Sequence, residues 1–127
     1  MTARRVFLVE DELLVAFDVQ DILEEAGCQV EGPFTTVNAA LRALEAARPD
    51  CAVLDVRLAD GEVFPLANAL QQAGIPIIFH SGHADESALG SRYPGAAICG
   101  KPCSPSHLRD QIARVLQPYA EADSAAV

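Results

Sequence analysis

The sequence predicts a doubly wound α/β domain, and three observations lead there. Apolar runs too short for helices recur at 6–9, 51–54 and 75–79. Stretches with helical spacing of apolar residues separate them, which calls for parallel strands joined by helical crossovers of right-handed sense. Both faces of such a sheet are covered, so its strands read as near-continuous apolar runs rather than alternating ones.

Val6 to Val9, β-branched and aromatic in content, is the first strand. The helix after it presents Val15, Val19, Ile22, Leu23 and Ala26 to the core, with Asp18, Asp21, Glu24 and Glu25 toward water and Gly27 as its stop. Gln29 to Glu31 is a weaker second strand. Thr35 or Thr36 caps a second helix through Leu41 and Leu44, which Pro49 ends. Cys51 to Leu54 is a buried third strand, and 63 to 73 a third helix with Pro65 in its first turn. Ile75 to Phe79 is the fourth strand. Residues 82 to 95 hold three glycines and a proline, leaving only a short fourth helix around Asp85 to Leu89. Ala96 to Cys99 makes the fifth strand. Ser104, with Pro105 at the first helical position, opens a last helix whose core side is Leu108, Ile112 and Val115. From Ala120 the residues are small and acidic, as in a frayed tail.

Half of the 127 residues are apolar, enough for one domain with its own core. The formal net charge of −9 repels phosphate backbones and acidic membrane surfaces, which argues against nucleic acid or membrane as a partner and favours cations. No apolar run approaches the roughly 20 residues of a membrane span. Met1-Thr2-Ala3-Arg4-Arg5 leads into a strand rather than a signal peptide, so a cytoplasmic location is expected. Cys28, Cys51, Cys99 and Cys103 show no Cys-x-x-Cys spacing and read as small buried hydrophobes, with no disulfide framework expected. His80 and His83 with Cys99 and Cys103 lack the spacing of a zinc site.

In doubly wound sheets, function gathers beyond the carboxyl ends of the strands. Here the first strand ends in Glu10-Asp11-Glu12, the third in Asp55, the fourth in Ser81 and the fifth in Lys101, the only lysine. Singly, each has a plainer explanation: an acidic first turn favoured by the helix dipole, a loop-starting Asp, a strand-end cap, a solvated charge. Together they bring carboxylates, a hydroxyl and an ammonium to one crevice. Crowded carboxylates repel, and a divalent cation relieves them. Mg²⁺ fits, because it takes few protein carboxylates, keeps waters and accepts phosphate oxygens. Asp55, ending an apolar strand, is then a candidate nucleophile toward phosphorus. Lys101 carries a compact charge on a flexible stem, aimed by Pro102, where the wide fork of an arginine would not fit.

Four pieces carry a resemblance: Phe-Leu-Val-Glu-Asp-Glu from residue 7, Val-Leu-Asp-Val-Arg-Leu-Ala-Asp-Gly from 53, Ile-Ile-Phe-His-Ser-Gly from 77 and Gly-Lys-Pro from 100. In this order, at these strand ends, they resemble the receiver domain of bacterial two-component response regulators, over about residues 4–117, with 118–127 left as a flexible C-terminal tail. The resemblance implies a flavodoxin-like sheet in the order 2-1-3-4-5. It implies that Asp55 accepts a phosphoryl group from a histidine kinase or phosphotransfer protein, and that Ser81 and Lys101 engage that group. Asp11, Asp55 and the backbone carbonyl of Arg57 would hold Mg²⁺, with Glu10 acting through water and a cis bond preceding Pro102. Such a chain is a switch rather than an enzyme, a monomer or weak dimer. Because 127 residues leave no room for an output domain, its signal would leave by contact with a downstream protein or by draining phosphate from a shared pathway.

Departures from the family pattern are equally specific. Ile98 stands where receivers usually carry the Tyr or Phe that swings inward on activation. Residues 76–84 are similar to the Pro-Phe-x-Phe-Ala-Thr-Gly-aromatic-Gly pattern of the FAT GUY receivers, some of them linked to stress signalling, but differ at His80, Ser81, His83 and Ala84. Leu13 and Leu14 fit either core or an exposed docking face. A pseudo-receiver that binds partners without phosphorylation is the alternative. A flavodoxin-like electron carrier is disfavoured, since Glu10-Asp11-Glu12 would repel a flavin phosphate.

Overall fold

The computed structural model describes residues 4–81, 86–100 and 103–126. In chain order the elements are β1 (Arg5–Val9), α1 (Leu13–Glu25), β2 (Gln29–Phe34), α2 (Val37–Ala46), β3 (Cys51–Asp55), β4 (Arg57–Leu58), β5 (Gly61–Glu62), α3 (Phe64–Gln72), β6 (Ile77–Ser81), α4 (Glu86–Arg92), β7 (Ala97–Gly100) and α5 (Pro105–Ala126). Five of the strands form one parallel sheet in the order β2-β1-β3-β6-β7, the expected 2-1-3-4-5 arrangement. The small antiparallel β4–β5 hairpin, pairing Arg57 with Glu62 and Leu58 with Gly61, was not foreseen, because two-residue strands carry no periodicity.

Alternation along each strand divides the core into two layers. Phe7, Val9, Leu54 and Phe79 point to one face, where Leu66 and Leu70 of α3 and Tyr93 cover them. Val6, Leu8, Val53 and Ile78 point to the other, against Val19 and Leu23 of α1 and Leu108 and Ile112 of α5. Each fully buried Leu, Ile or Phe is worth roughly 1.5–3 kcal/mol. The central strand β3 is buried at every position, as its unbroken apolar run requires.

Several local expectations shift. On α1 the buried residues are Ala16, Val19 and Leu23; Val15 and Ile22 are half-buried, and Ala26 is exposed because it lies past the last turn as the C-cap. Gly27 follows at φ 88°, and the amides of Gly27 and Cys28 close on the carbonyls of Glu24 and Leu23, the left-handed stop that its sequence position predicts. β2 extends to Phe34. A side chain at Gly32, φ 110°, would come 2.5 Å from the Leu8 carbonyl oxygen, so only glycine fits there. The fourth strand of the main sheet, β6, runs 77–81 rather than 75–79. Pro76 has no amide to give, and the ladder proper starts with Ile77 opposite Ala52. α4 is short, with seven residues. The backbone of α5 is helical from Pro105 to Ala126. The cysteines need a correction: Cys28 and Cys51 are buried free thiols, but Cys99 and Cys103 are joined as a disulfide. β7 and the chain entering α5 bring them together, which spacing alone did not reveal.

The start of α2 is held from a distance. Thr36, not Thr35, is its N-cap, accepting from the Ala39 amide at 3.1 Å. The Asp60 carboxylate, beside the β4–β5 hairpin, accepts from the Val37 and Asn38 amides at 2.8 and 3.2 Å. Three of the first-turn amides are thereby satisfied. The Val37 amide above all holds the Asp60 carboxyl below its usual range. A depressed carboxylate stabilises the fold above its unfolded value, about 3.9, and the contribution fades as pH falls through the folded value. Asp60→Ala should therefore lower the melting temperature at pH 7, and the gap from wild type should narrow below about pH 4. A gap independent of pH would count against the charged cap.

Candidate functional site

β1 and β3 are neighbours with Val9 opposite Leu54, so the residues that follow, Glu10 and Asp55, emerge side by side. One carboxylate oxygen from each of Glu10, Asp11 and Asp55 lies within 4.8 Å of the others. Glu10 and Asp55 are buried, while Asp11 at the rim is exposed. Backbone amides fix two of them: Glu10 Oε2 accepts from the Glu12 amide at 3.1 Å, and Asp55 Oδ1 from the Val56 amide at 2.8 Å. The two-residue run-on of β6 carries His80 opposite Asp55 and leaves Ser81 buried one step beyond, opposite Gly100 of β7. Arg57, two residues past Asp55 in β4, has an exposed side chain. Lys101 and the Lys101-Pro102 bond lie outside the described residues, as does His83. Gly100, which immediately precedes Lys101, is paired with Ser81.

An oxygen-only set of crowded carboxylates suits a hard divalent ion such as Mg²⁺ and not a sulfur- or nitrogen-seeking one. The donor set at this crevice therefore fits the ion that the sequence implies.

One feature escaped the sequence reading and one alternative it left open is decided. His80 is buried, and its Nδ1 lies 3.9 Å from Glu10 Oε1, so an imidazole backs the acidic cluster from the neighbouring strand. The available signal was a histidine inside an otherwise apolar strand. Leu13 and Leu14, open between core and surface in the sequence, are exposed at 52% and 82%, with Phe17 at 51% on the same helix. Ile98, at the usual aromatic position, is half-buried against the core layer that holds Phe79 and Tyr93.

Comparison with known proteins agrees with this architecture. The family model described as response regulator receiver domain matches residues 6–113. The phyllosphere-induced regulator PhyR of Methylorubrum extorquens is 29% identical over 117 residues, which cover 90% of this chain and 44% of that protein. The crystal structure of the anti-anti-sigma factor PhyR from Bartonella quintana is similar with a TM-score of 0.81 and 28% identity, covering 100% of this chain and 53% of that one. The solution structure of SdrG from Sphingomonas melonis Fr1 is similar with a TM-score of 0.78 and 33% identity, covering 91% of this chain and 99% of that one. The chain thus spans about half the length of the PhyR proteins it matches. From the sheet order, the acidic crevice at the strand ends and a family match over most of its length, the chain belongs to the response regulator receiver domain family.

Proposed function

We propose that this chain is a phosphorylation switch in which Asp55 takes a phosphoryl group from the phosphohistidine of a histidine kinase or phosphotransfer protein. The observation that carries the reading is the convergence of Glu10, Asp11 and Asp55, from the ends of adjacent strands, with buried Ser81 on the strand alongside. Asp11, Asp55 and the Arg57 carbonyl would hold Mg²⁺, with Glu10 acting through water, and the bound ion would supply neutralisation of charge on the phosphoryl oxygens. An Asp55 oxygen attacks phosphorus, the imidazole leaves, and an acyl phosphate results. The Ser81 hydroxyl donates to a phosphoryl oxygen, and Lys101 supplies the balancing ammonium.

Output is by protein contact or by draining phosphate, in a cytoplasmic setting. Two observations support contact. Leu13, Leu14 and Phe17 leave an apolar patch on α1 beside the acidic crevice, a seat for the helices of a phosphodonor. One similar protein is described as an anti-anti-sigma factor, a function exerted on another protein. The charge of −9 disfavours nucleic acid.

Incubation with acetyl phosphate and Mg²⁺, followed by intact mass, tests the reading. One added phosphoryl group is expected, and chelation of Mg²⁺ should prevent it. A chain left unmodified by acetyl phosphate and by a genuine kinase is instead a pseudo-receiver.

The acyl phosphate should be long-lived. Water must attack in line past the side chain two residues beyond the acceptor, here Arg57, which offers donors to the phosphoryl oxygens but no acceptor to orient water. Arg57→Ala should therefore speed decay severalfold at fixed Mg²⁺, whereas unchanged or slower decay rules out shielding. His83→Ala in parallel reports whether that imidazole acts as a base for the water.

A further inference from the structure

Two of the four cysteines are kept from chemistry by their surroundings. Burial pushes the Cys51 thiol up to about 12 and raises that of Cys28 as well, so neither offers a thiolate at neutral pH. The other two are arranged differently. Cys99, fully buried in β7, is bonded to Cys103 four residues on, with their Cα atoms 5.7 Å apart. His107, in the first turn of α5, places Nδ1 3.8 Å from Cys99 Sγ, while Gln111 meets its Nε2 at 3.1 Å and steadies the ring. Cys103 is only half-buried and lines an open cavity of about 350 Å³ between α1 and α5, together with Val15, Val19, His80 and Leu108. His80 pairs with Cys99 across β6 and β7 and faces Glu10 from the other side. The sulfur pair is thus one side chain removed from the acidic crevice.

We propose that Cys99 and Cys103 form a reversible thiol–disulfide centre, entered through Cys103, whose state sets how readily Asp55 is phosphorylated; this second half rests on the functional reading above. The reductant is a low-molecular-weight thiol. Its thiolate attacks Cys103 Sγ, the sulfur–sulfur bond breaks, and Cys99 leaves as a thiolate that takes a proton from His107 or water. A second thiol then releases the first from Cys103 as a small disulfide. Two thiols are oxidised, and the protein disulfide gains two electrons and two protons; a small disulfide drives the reverse. Exposure directs entry to Cys103, because Cys99 is closed to solvent. The bond ties the end of β7 to the residue just before the Ser104 cap of α5, whose hydroxyl accepts from the His107 amide at 3.1 Å. Bonded, it stiffens the strand that flanks His80 and Ser81, which opposes any adjustment around an arriving phosphoryl group.

Equilibration of the full chain in mixtures of reduced and oxidised glutathione tests this. Alkylation and peptide mass read the state of Cys99 and Cys103, and intact mass reads phosphoryl uptake from acetyl phosphate with Mg²⁺. The pair should cycle between bonded and free forms, with uptake about 10- to 100-fold slower in the bonded form, the range that a misplacement of about 1 Å carries. Cys103→Ser should take up phosphate at the reduced-form rate in every mixture. His107→Gln should slow reduction of the bond without moving its equilibrium. Absence of the bond in every mixture, or capture of the reduced pair by added Zn²⁺ with loss of cycling, overturns the centre. Equal uptake in both redox states overturns the coupling and leaves the phosphorylation reading intact. A chain that cycles the bond but takes up no phosphate in either state overturns that reading and the coupling with it, and supports the centre alone.

Discussion

Asp55→Asn is expected to abolish phosphoryl uptake while leaving the fold in place. The amide keeps the shape of the carboxylate, and its oxygen can still accept from the Val56 amide, which Asp55 Oδ1 does at 2.8 Å. The proposed anionic nucleophile is lost, and the acidic cluster proposed to hold the metal loses one of its three carboxylates. With acetyl phosphate and Mg²⁺, the variant should show no added phosphoryl group under conditions that label wild type fully, and its Mg²⁺ affinity should fall. Without Mg²⁺ its melting temperature should equal or exceed that of wild type, because three neighbouring carboxylates repel and one is neutralised. Labelling of the variant would place the acceptor elsewhere. A collapse of its stability would mean that Asp55 serves packing more than chemistry.

Phe79→Ala should carry the largest cost in stability. Phe79 is fully buried in β6, its ring 5.3 Å from that of Tyr93, whose hydroxyl donates to Asn68 Oδ1 at 2.7 Å. Truncation removes the apolar transfer term and leaves a cavity between the sheet and the α3–α4 side, a loss of about 3–5 kcal/mol. Against a total of about 5–15 kcal/mol for a domain, that is at least a fifth of the stability. Urea unfolding should show a lower midpoint with an unchanged slope, and Phe79→Leu should recover most of the difference. A loss below about 1 kcal/mol would mean that the layer relaxes to fill the gap. Because Ser81 is two residues along the same strand, Phe79→Ala should also slow phosphoryl uptake, which Phe79→Leu should restore.

The parts that were legible in the chain share one property: their signals are local. Parallel strands buried on both faces need unbroken apolar runs, so β1 and β3 stand out, and the polar residues that follow them mark the crevice. Gly27 at the end of α1, Thr36 before α2 and Pro105 opening α5 are short-range rules of the backbone, and the structure obeys them. The short α4 follows from the glycines and proline between 82 and 95.

Other features depend on residues far apart along the chain. Asp60 holds amides more than 20 positions away. His80 meets Glu10 only because β6 and β1 flank β3 and the ladder carries β6 on to Ser81. Cys99 meets Cys103 because β7 and the start of α5 pack against each other. Leu13 and Leu14 satisfy a helix whether they face the core or water, and the seating of α1 on the sheet through Ala16, Val19 and Leu23 turned them outward. Propensity and periodicity encode which element a residue joins. Which neighbours it meets, and so which carboxylates share a site and which sulfurs a bond, is settled when burial of the two apolar layers locks the strands into register.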